Sequence, residues 1–201
     1  MDSQLTLVNQ EPPLELVLEK PATPLNTRIF VNGKPRYKVS TVDRDGNVTD
    51  VTDLRTNAVV ATIKRRSILP DKVKFPAKFG GKAVKKDDWM VETKLDSGGL
   101  GWTINSESGS FLWRFDKALK IVLTPATDPD RIIAFVKSEP GVYALCVEHR
   151  AEGLLDEIIP GFIVLDHQNN MMTKSWKVAD GWCADERSTI TGRPLAGDYT
   201  K

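Results

Sequence analysis

Only one stretch of this chain carries apolar periodicity over the length of a helix, and it is apolar on nearly every side. From Leu154 to Asn170 the apolar residues fall at Leu154, Leu155, Ile158, Ile159, Phe162 and Ile163, the paired spacing of one helix face. Val164 and Leu165 widen that face until it almost surrounds the axis, which predicts a buried helix rather than a surface one. A helix over 154–170 would run about 25 Å, close to the height of a small barrel. Asp156, Glu157, Pro160 and Gly161 interrupt the segment, and nothing elsewhere approaches the ~20 apolar residues of a membrane span. Pro160-Gly161 is a local conflict. A proline inside a helix costs about 3 kcal/mol, and glycine costs about 1 kcal/mol more than alanine. Two outcomes are open: a kink, or a short helix followed by extended Phe162 to Leu165. A kink would open room for an apolar ligand, and Pro160→Ala would then straighten the helix and raise the melting temperature.

The rest of the chain has the period of strands. Leu14, Leu16 and Leu18 alternate with Glu15 and Val17. Ile29-Phe30-Val31 meets the hairpin dipeptide Asn32-Gly33, then Arg36 to Val42 and the turn Asp45-Gly46-Asn47 follow. Val48 to Leu54, Ala58 to Ile63, Asp88 to Lys94 and Gly101 to Asn105 continue the series. Ser110 to Phe115, Leu119 to Leu123, Arg131 to Lys137 and Val142 to His149 complete it. About ten strands at this spacing predict an antiparallel sandwich or barrel, and a single helix excludes a doubly wound sheet. A closed sheet threaded by one apolar helix satisfies both patterns. The 201 residues, 40% apolar and 27% charged, suffice for one hydrophobic core. The expected layout is an N-terminal extension with one strand (1–27), a barrel with a central helix (28–174) and a C-terminal tail (175–201).

Several segments together carry a family resemblance. They are Tyr37-Lys38-Val39-Ser40-Thr41, the run Ala58 to Arg65, and Asp71-Lys72-Val73-Lys74-Phe75. The hairpin pieces Gly101-Trp102-Thr103 and Phe111-Leu112-Trp113-Arg114 and the terminal Gly153 to Ile159 complete the pattern. Residues from about 28 to 172 resemble the tubby-like C-terminal superfamily. Within it they are most similar to a fungal family of uncharacterised domains, distant from the tubby proteins, the LURP-one-related proteins and the phospholipid scramblases. The resemblance implies a twelve-stranded closed barrel around a central hydrophobic helix. The chain departs from the pattern at Pro160-Gly161 and after Lys174.

The strongest charge feature is local. The whole chain holds 28 Lys+Arg and 27 Asp+Glu, a formal charge of +1, so it is no polycation. Between residues 64 and 86, however, Lys64, Arg65, Arg66, Lys72, Lys74, Lys78, Lys82, Lys85 and Lys86 face Asp71 alone. Such a segment on a neutral protein is either an anion-binding face or a solvated loop with lysines in several directions. The resemblance favours the first, because tubby proteins bind phosphoinositides through a basic barrel face. The anion- or lipid-binding candidates are Lys64, Arg65, Arg66, Lys72, Lys74 and Lys78. Only Phe75 and Phe79 interleave with these charges, which is poor support for nucleic acid.

Catalytic signals are weak. Gly98-Gly99-Leu100-Gly101 precedes a strand-like Trp102-Thr103-Ile104 rather than a helix, so it reads as a turn and not a phosphate loop. The only two histidines, His149 and His167, with Glu148 and Asp166, are the acid-base candidates; no nucleophile motif accompanies them. Trp102, Trp113, Pro160 and Phe162 are the pocket candidates. Two cysteines and two histidines argue against a disulfide framework and a His/Cys metal site, and no cofactor is implied. Cys146 reads as a small buried hydrophobe and Cys183 as a tail thiol. The tail's Trp176 and Trp182 suit packing on the barrel, on a second subunit or at a membrane interface. Met1 to Asn9 lacks the basic start and apolar run of a secretory signal. The sum is a cytoplasmic domain that binds anionic lipid, peripherally at a membrane. A protein or enzyme binding a small apolar or anionic molecule is the alternative, and a protein-interaction module is the third reading; oligomeric state is open.

Overall fold

The computed structural model describes residues 11–171, apart from 22 and 44. The chain divides into two units, Met1–Asp166 and His167–Lys201. Of the second, only 167–171 lie among the described residues, and their backbone is helical. The first unit is mainly β. In its N-terminal part are β1 (Leu14–Leu18), β2 (Thr27–Val31), β3 (Lys34–Thr41), β4 (Val48–Asp53), β5 (Ala58–Lys64), β6 (Lys72–Lys74) and β7 (Ala83–Lys85). A four-residue helix, α1 (Lys86–Trp89), leads to β8 (Met90–Lys94). The series ends with β9 (Leu100–Ser106), β10 (Gly109–Asp116), β11 (Lys120–Pro125), β12 (Ala134–Glu139) and β13 (Val142–Val147). A 3-10 turn, His149–Leu154, precedes helix α2, residues 155–171.

The thirteen strands form one sheet in the order β7-β6-β5-β4-β3-β2-β1-β13-β12-β11-β10-β9-β8, antiparallel throughout. It is two meanders, β1–β7 and β8–β13, joined where β1 pairs with β13 through Leu14↔Val147 and Leu16↔Leu145. The first strand is thus in the middle of the sheet. The period read from Leu14, Leu16 and Leu18 is its burial pattern, since all three are buried.

The expected barrel of about twelve strands is met, among the described residues, by one antiparallel β-sheet. The described residues hold thirteen strands, among them the three-residue β6 and β7, too short for the alternation of the sequence to show. The edges β7 and β8 are not joined by hydrogen bonds. At that seam stands α1, in place of the first part of the strand expected over 88–94. Asp87 and Asp88 occupy its first turn, where the helix dipole favours acids. It packs against both β7 and β8, and its Trp89 is buried edge-on to Phe75, ring centres 5.0 Å apart.

Helix α2 does not end at Pro160-Gly161; its backbone is helical from 155 to 171. Proline deprives the carbonyl four residues earlier of its donor, here that of Asp156, an exposed residue with water at hand. Every position from 157 to 166 is buried, as the nearly all-round apolar pattern requires. Ile158, Ile159, Phe162, Ile163 and Leu165 join the inward residues of the strands in a single core. Gly161 has a packing role: a Cβ there would stand 2.8 Å from Trp113 Nε1 and 3.5 Å from Met90 Cε. The helix backbone lies directly on the β10 indole, and only glycine permits that approach.

Candidate functional site

The basic segment folds as the end of the first meander. Along β6 the chain alternates Lys72, Val73, Lys74, and Phe75 follows. Val73 and Phe75 are buried in the core, so Lys72 and Lys74 take the opposite face. Register extends that face across three strands. Lys64 of β5 pairs with Lys72 of β6, and Lys72 pairs with Lys85 of β7. Residues directly opposite share a face, so Lys64, Lys72 and Lys85 stand in a cross-strand row, with Lys74 beside it two residues along β6. At the usual strand spacing the row spans about 10 Å. Lys74 belongs to the next row, in register with Thr62 and Asp50, where the Thr62 hydroxyl donates to the Asp50 carboxylate at 2.6 Å.

Lys64, Lys72, Lys74 and Lys85 make no hydrogen bond or salt bridge with another side chain among the described residues. Like charges directly opposite across strands destabilise a sheet by a few tenths of a kcal/mol per pair.

The other candidates for this face are placed differently. Arg65 turns inward: its Nη1 donates to the buried Thr49 hydroxyl at 2.9 Å, and burial pulls its pKa below the usual arginine value. Lys78 forms a salt bridge with Glu157 of α2, a carboxylate only 3% exposed. Arg66 is half-buried, and its backbone N–H donates to the Asp71 carboxylate at 2.8 Å. Lys86 pairs with Asp87 at 2.9 Å. Three of the six residues singled out from the sequence thus share the row's face, and Lys85 completes it. The signal for Lys85 is the alternation Ala83-Val84-Lys85 set against Lys72-Val73-Lys74, legible only once the strands are paired.

Of the acid-base candidates, Glu148 and Asp166 lie well apart. Glu148 accepts two hydrogen bonds from Arg131 Nη2, at 2.8 and 2.7 Å, and His149 beside it is exposed at the start of the 3-10 turn. Asp166, near the end of the first unit, accepts a hydrogen bond from the Tyr143 hydroxyl. Tyr143 and Glu148 are five residues apart on an extended strand, about 16 Å. His167 follows Asp166 in the chain and is half-exposed. Burial, with the Asp166 charge adding to it, pushes the Tyr143 phenol well above its usual range. Among the described residues no three His, Cys, Asp or Glu side chains are grouped as a metal ion would require.

The pocket candidates are core residues. Trp102, Trp113, Pro160 and Phe162 are all buried; Trp102 packs edge-on to Phe115 at 5.2 Å, and Trp113 fills the space beside Gly161. None of them lines the open cleft of about 550 Å³ between Glu19, Thr27, Arg28, Pro35 and Lys38. Cys146 is buried, as its apolar strand predicts. Burial, with the Glu15 charge adding to it, pushes its thiol up to about 11. Cys183, Trp176 and Trp182 lie outside the described residues. No described helix is long and apolar enough to cross a membrane.

Comparison with known proteins bears on the fold. The model of a family of unknown function, DUF6593, matches residues 22–171. A solved structure of an Arabidopsis thaliana protein is similar with a TM-score of 0.50 at 16% identity, covering 79% of this chain and 92% of that one. At that identity the likeness is one of fold alone. No curated protein matches the sequence.

Proposed function

The chain belongs to the DUF6593 family, and on that premise we propose that it is a tubby-like barrel domain binding anionic phospholipid headgroups at a membrane surface. The observation that carries this reading is the row Lys64, Lys72 and Lys85, with Lys74 beside it, aligned by strand register and outside the salt bridges of the described residues, with the Asp43 carboxylate acting on Lys64 alone. Multiply charged headgroups, phosphoinositides above all, fit a cluster of ammonium groups one strand spacing apart. In this reading the sheet closes around α2 by side-chain packing at the β7–β8 seam, and the barrel is the rigid support for the row. The domain works in the cytoplasm as a peripheral membrane protein. Glu148 and Asp166 stay apart and Trp102 and Trp113 are occupied in packing, so the small-molecule reading has less to draw on.

Co-sedimentation with liposomes tests it. Each lysine close to an anionic surface is worth about 1 kcal/mol. Replacing Lys64, Lys72 and Lys85 by alanine should therefore weaken binding by roughly a hundredfold. Binding should require anionic lipid and fall steeply with salt. Equal binding to neutral vesicles, or a triple variant that binds like the wild type, would refute the proposal.

A further inference from the structure

Between Lys64 and Lys72 the chain leaves the sheet for the loop 65–71, whose tip is Ser67-Ile68-Leu69-Pro70. All four tip residues are exposed. Ile68 is 93% exposed and Leu69 59%, and neither joins the core. The base of the loop is braced. The Asp71 carboxylate accepts the Arg66 N–H at 2.8 Å. The Asp71 carbonyl accepts the Lys86 N–H at 2.8 Å, and the Asn47 carbonyl accepts the Arg65 N–H at 2.8 Å. Two adjacent aliphatic side chains are thus held out into solvent on a fixed stem. Scattered exposed aliphatics are ordinary, but this pair rises from the strand ends where Lys64 and Lys72 face each other.

The row beneath continues in the other direction. Lys64 pairs with Val48, and the Val42 N–H donates to the Val48 carbonyl at 2.9 Å. Val42 is 56% exposed. The strand ends of β3 to β7 on this side therefore present Val42 and Val48, with Asp43 in the turn between them, then Lys64, Lys72 and Lys85, with Ile68 and Leu69 on the loop above.

We propose that the β5–β6 loop is a wedge that inserts Ile68 and Leu69 among the acyl chains of an anionic bilayer while the lysine row holds the surrounding headgroups. The inference rests on the lipid-binding reading and deepens it, since charge alone requires only contact with the membrane surface. The occupant is a bilayer on two grounds. The lysines are complementary to anionic headgroups, and a convex aliphatic tip needs a fluid partner that parts around it. Apolar contact and charge act together in interfacial binding, so binding should fall with salt but leave a residual attachment where the lysines are screened.

The test uses the full chain carrying Cys183→Ser and Ile68→Cys, labelled at residue 68 with an environment-sensitive fluorophore; the buried Cys146 stays unlabelled. Vesicles are phosphatidylcholine with or without phosphatidylserine and a phosphoinositide. The expected result is a blue-shifted, brighter emission with anionic vesicles only. Ile68→Ser with Leu69→Ser should weaken binding at physiological salt roughly 10- to 100-fold and leave the melting temperature unchanged. Salt-sensitive binding with no spectral change, untouched by the double serine variant, would overturn the wedge and leave the lipid-binding reading standing. Absence of vesicle binding by the wild type at every salt concentration would overturn both. A blue shift without vesicles, together with a dimer that the serine variant dissolves, would assign the tip to a second copy of the chain instead.

Discussion

Gly161 and Lys78 show how single residues in this fold serve packing and pairing that lie far away in sequence. Gly161→Ala gains about 1 kcal/mol of helix propensity but drives a methyl group into the Trp113 indole at 2.8 Å. Overpacking of this kind costs about 1–3 kcal/mol, so the net expectation is a lower melting temperature. Combining it with Trp113→Phe, which removes the indole Nε1, should recover part of that loss. A thermal double-mutant cycle with no coupling would contradict the contact. The Lys78–Glu157 salt bridge sets up a second expectation. Removing one partner of a buried pair costs about 3–5 kcal/mol. Because the Lys78 side chain is 32% exposed, Lys78→Ala should fall at or below the lower end of that range, while Lys85→Ala should leave stability unchanged. Denaturant unfolding of the two variants separates a structural lysine from one free for binding.

At the scale of elements, β1 carries more than its five residues suggest. Its pairing with β13 joins the two meanders among the described residues, and β2 takes its other side. Leu16, wholly buried between them, should cost about 2–5 kcal/mol as alanine. Truncation before residue 21 should leave β2 and β13 as open edges and produce aggregation, measurable by light scattering. The turn between β3 and β4 has its own pH dependence. The Asp43 carboxylate accepts the Val48 N–H at 2.6 Å and the Asn47 N–H at 3.1 Å, and these bonds lower its pKa. A carboxylate with a depressed folded pKa stabilises above its unfolded value, near 3.8, and loses that contribution as pH falls through the folded one. The Val48 amide resonance should therefore shift below pH 4, and in Asp43→Asn it should not.

For the molecule as a whole the alkaline limb of stability is the informative one. Burial raises Cys146 from 9.0 to about 11 and Tyr37 from 10.0 to about 12, and it raises Tyr143 further. Groups with raised folded pKa values contribute stability that is complete below their unfolded values and lost as pH rises through the folded ones. The melting temperature should hold to about pH 9 and then decline toward pH 12, with the absorbance of two of the three phenolates appearing along the unfolding transition rather than before it. Early ionisation of two tyrosines in the folded protein would contradict the buried phenols.

Local periodicity alone established that this chain is a run of short antiparallel strands and one buried helix, because alternation and helical spacing are fixed by backbone geometry within a few residues. The three leucines of β1 and the all-round apolar face of α2 were legible in that way, and so was the density of positive charge between 64 and 86. The short β6 and β7 were not, since three residues hold too little of a period. Tertiary structure decided which lysines stand together, because cross-strand register aligns Lys64, Lys72 and Lys85 while Arg65 and Lys78 find partners inside. It also decided that Pro160-Gly161 continues the helix rather than ending it, because the reason for glycine there is an indole nearly fifty residues away. Sequence shows which residues can be charged or apolar; only the pairing of distant segments settles whether a given charge is neutralised or left facing outward.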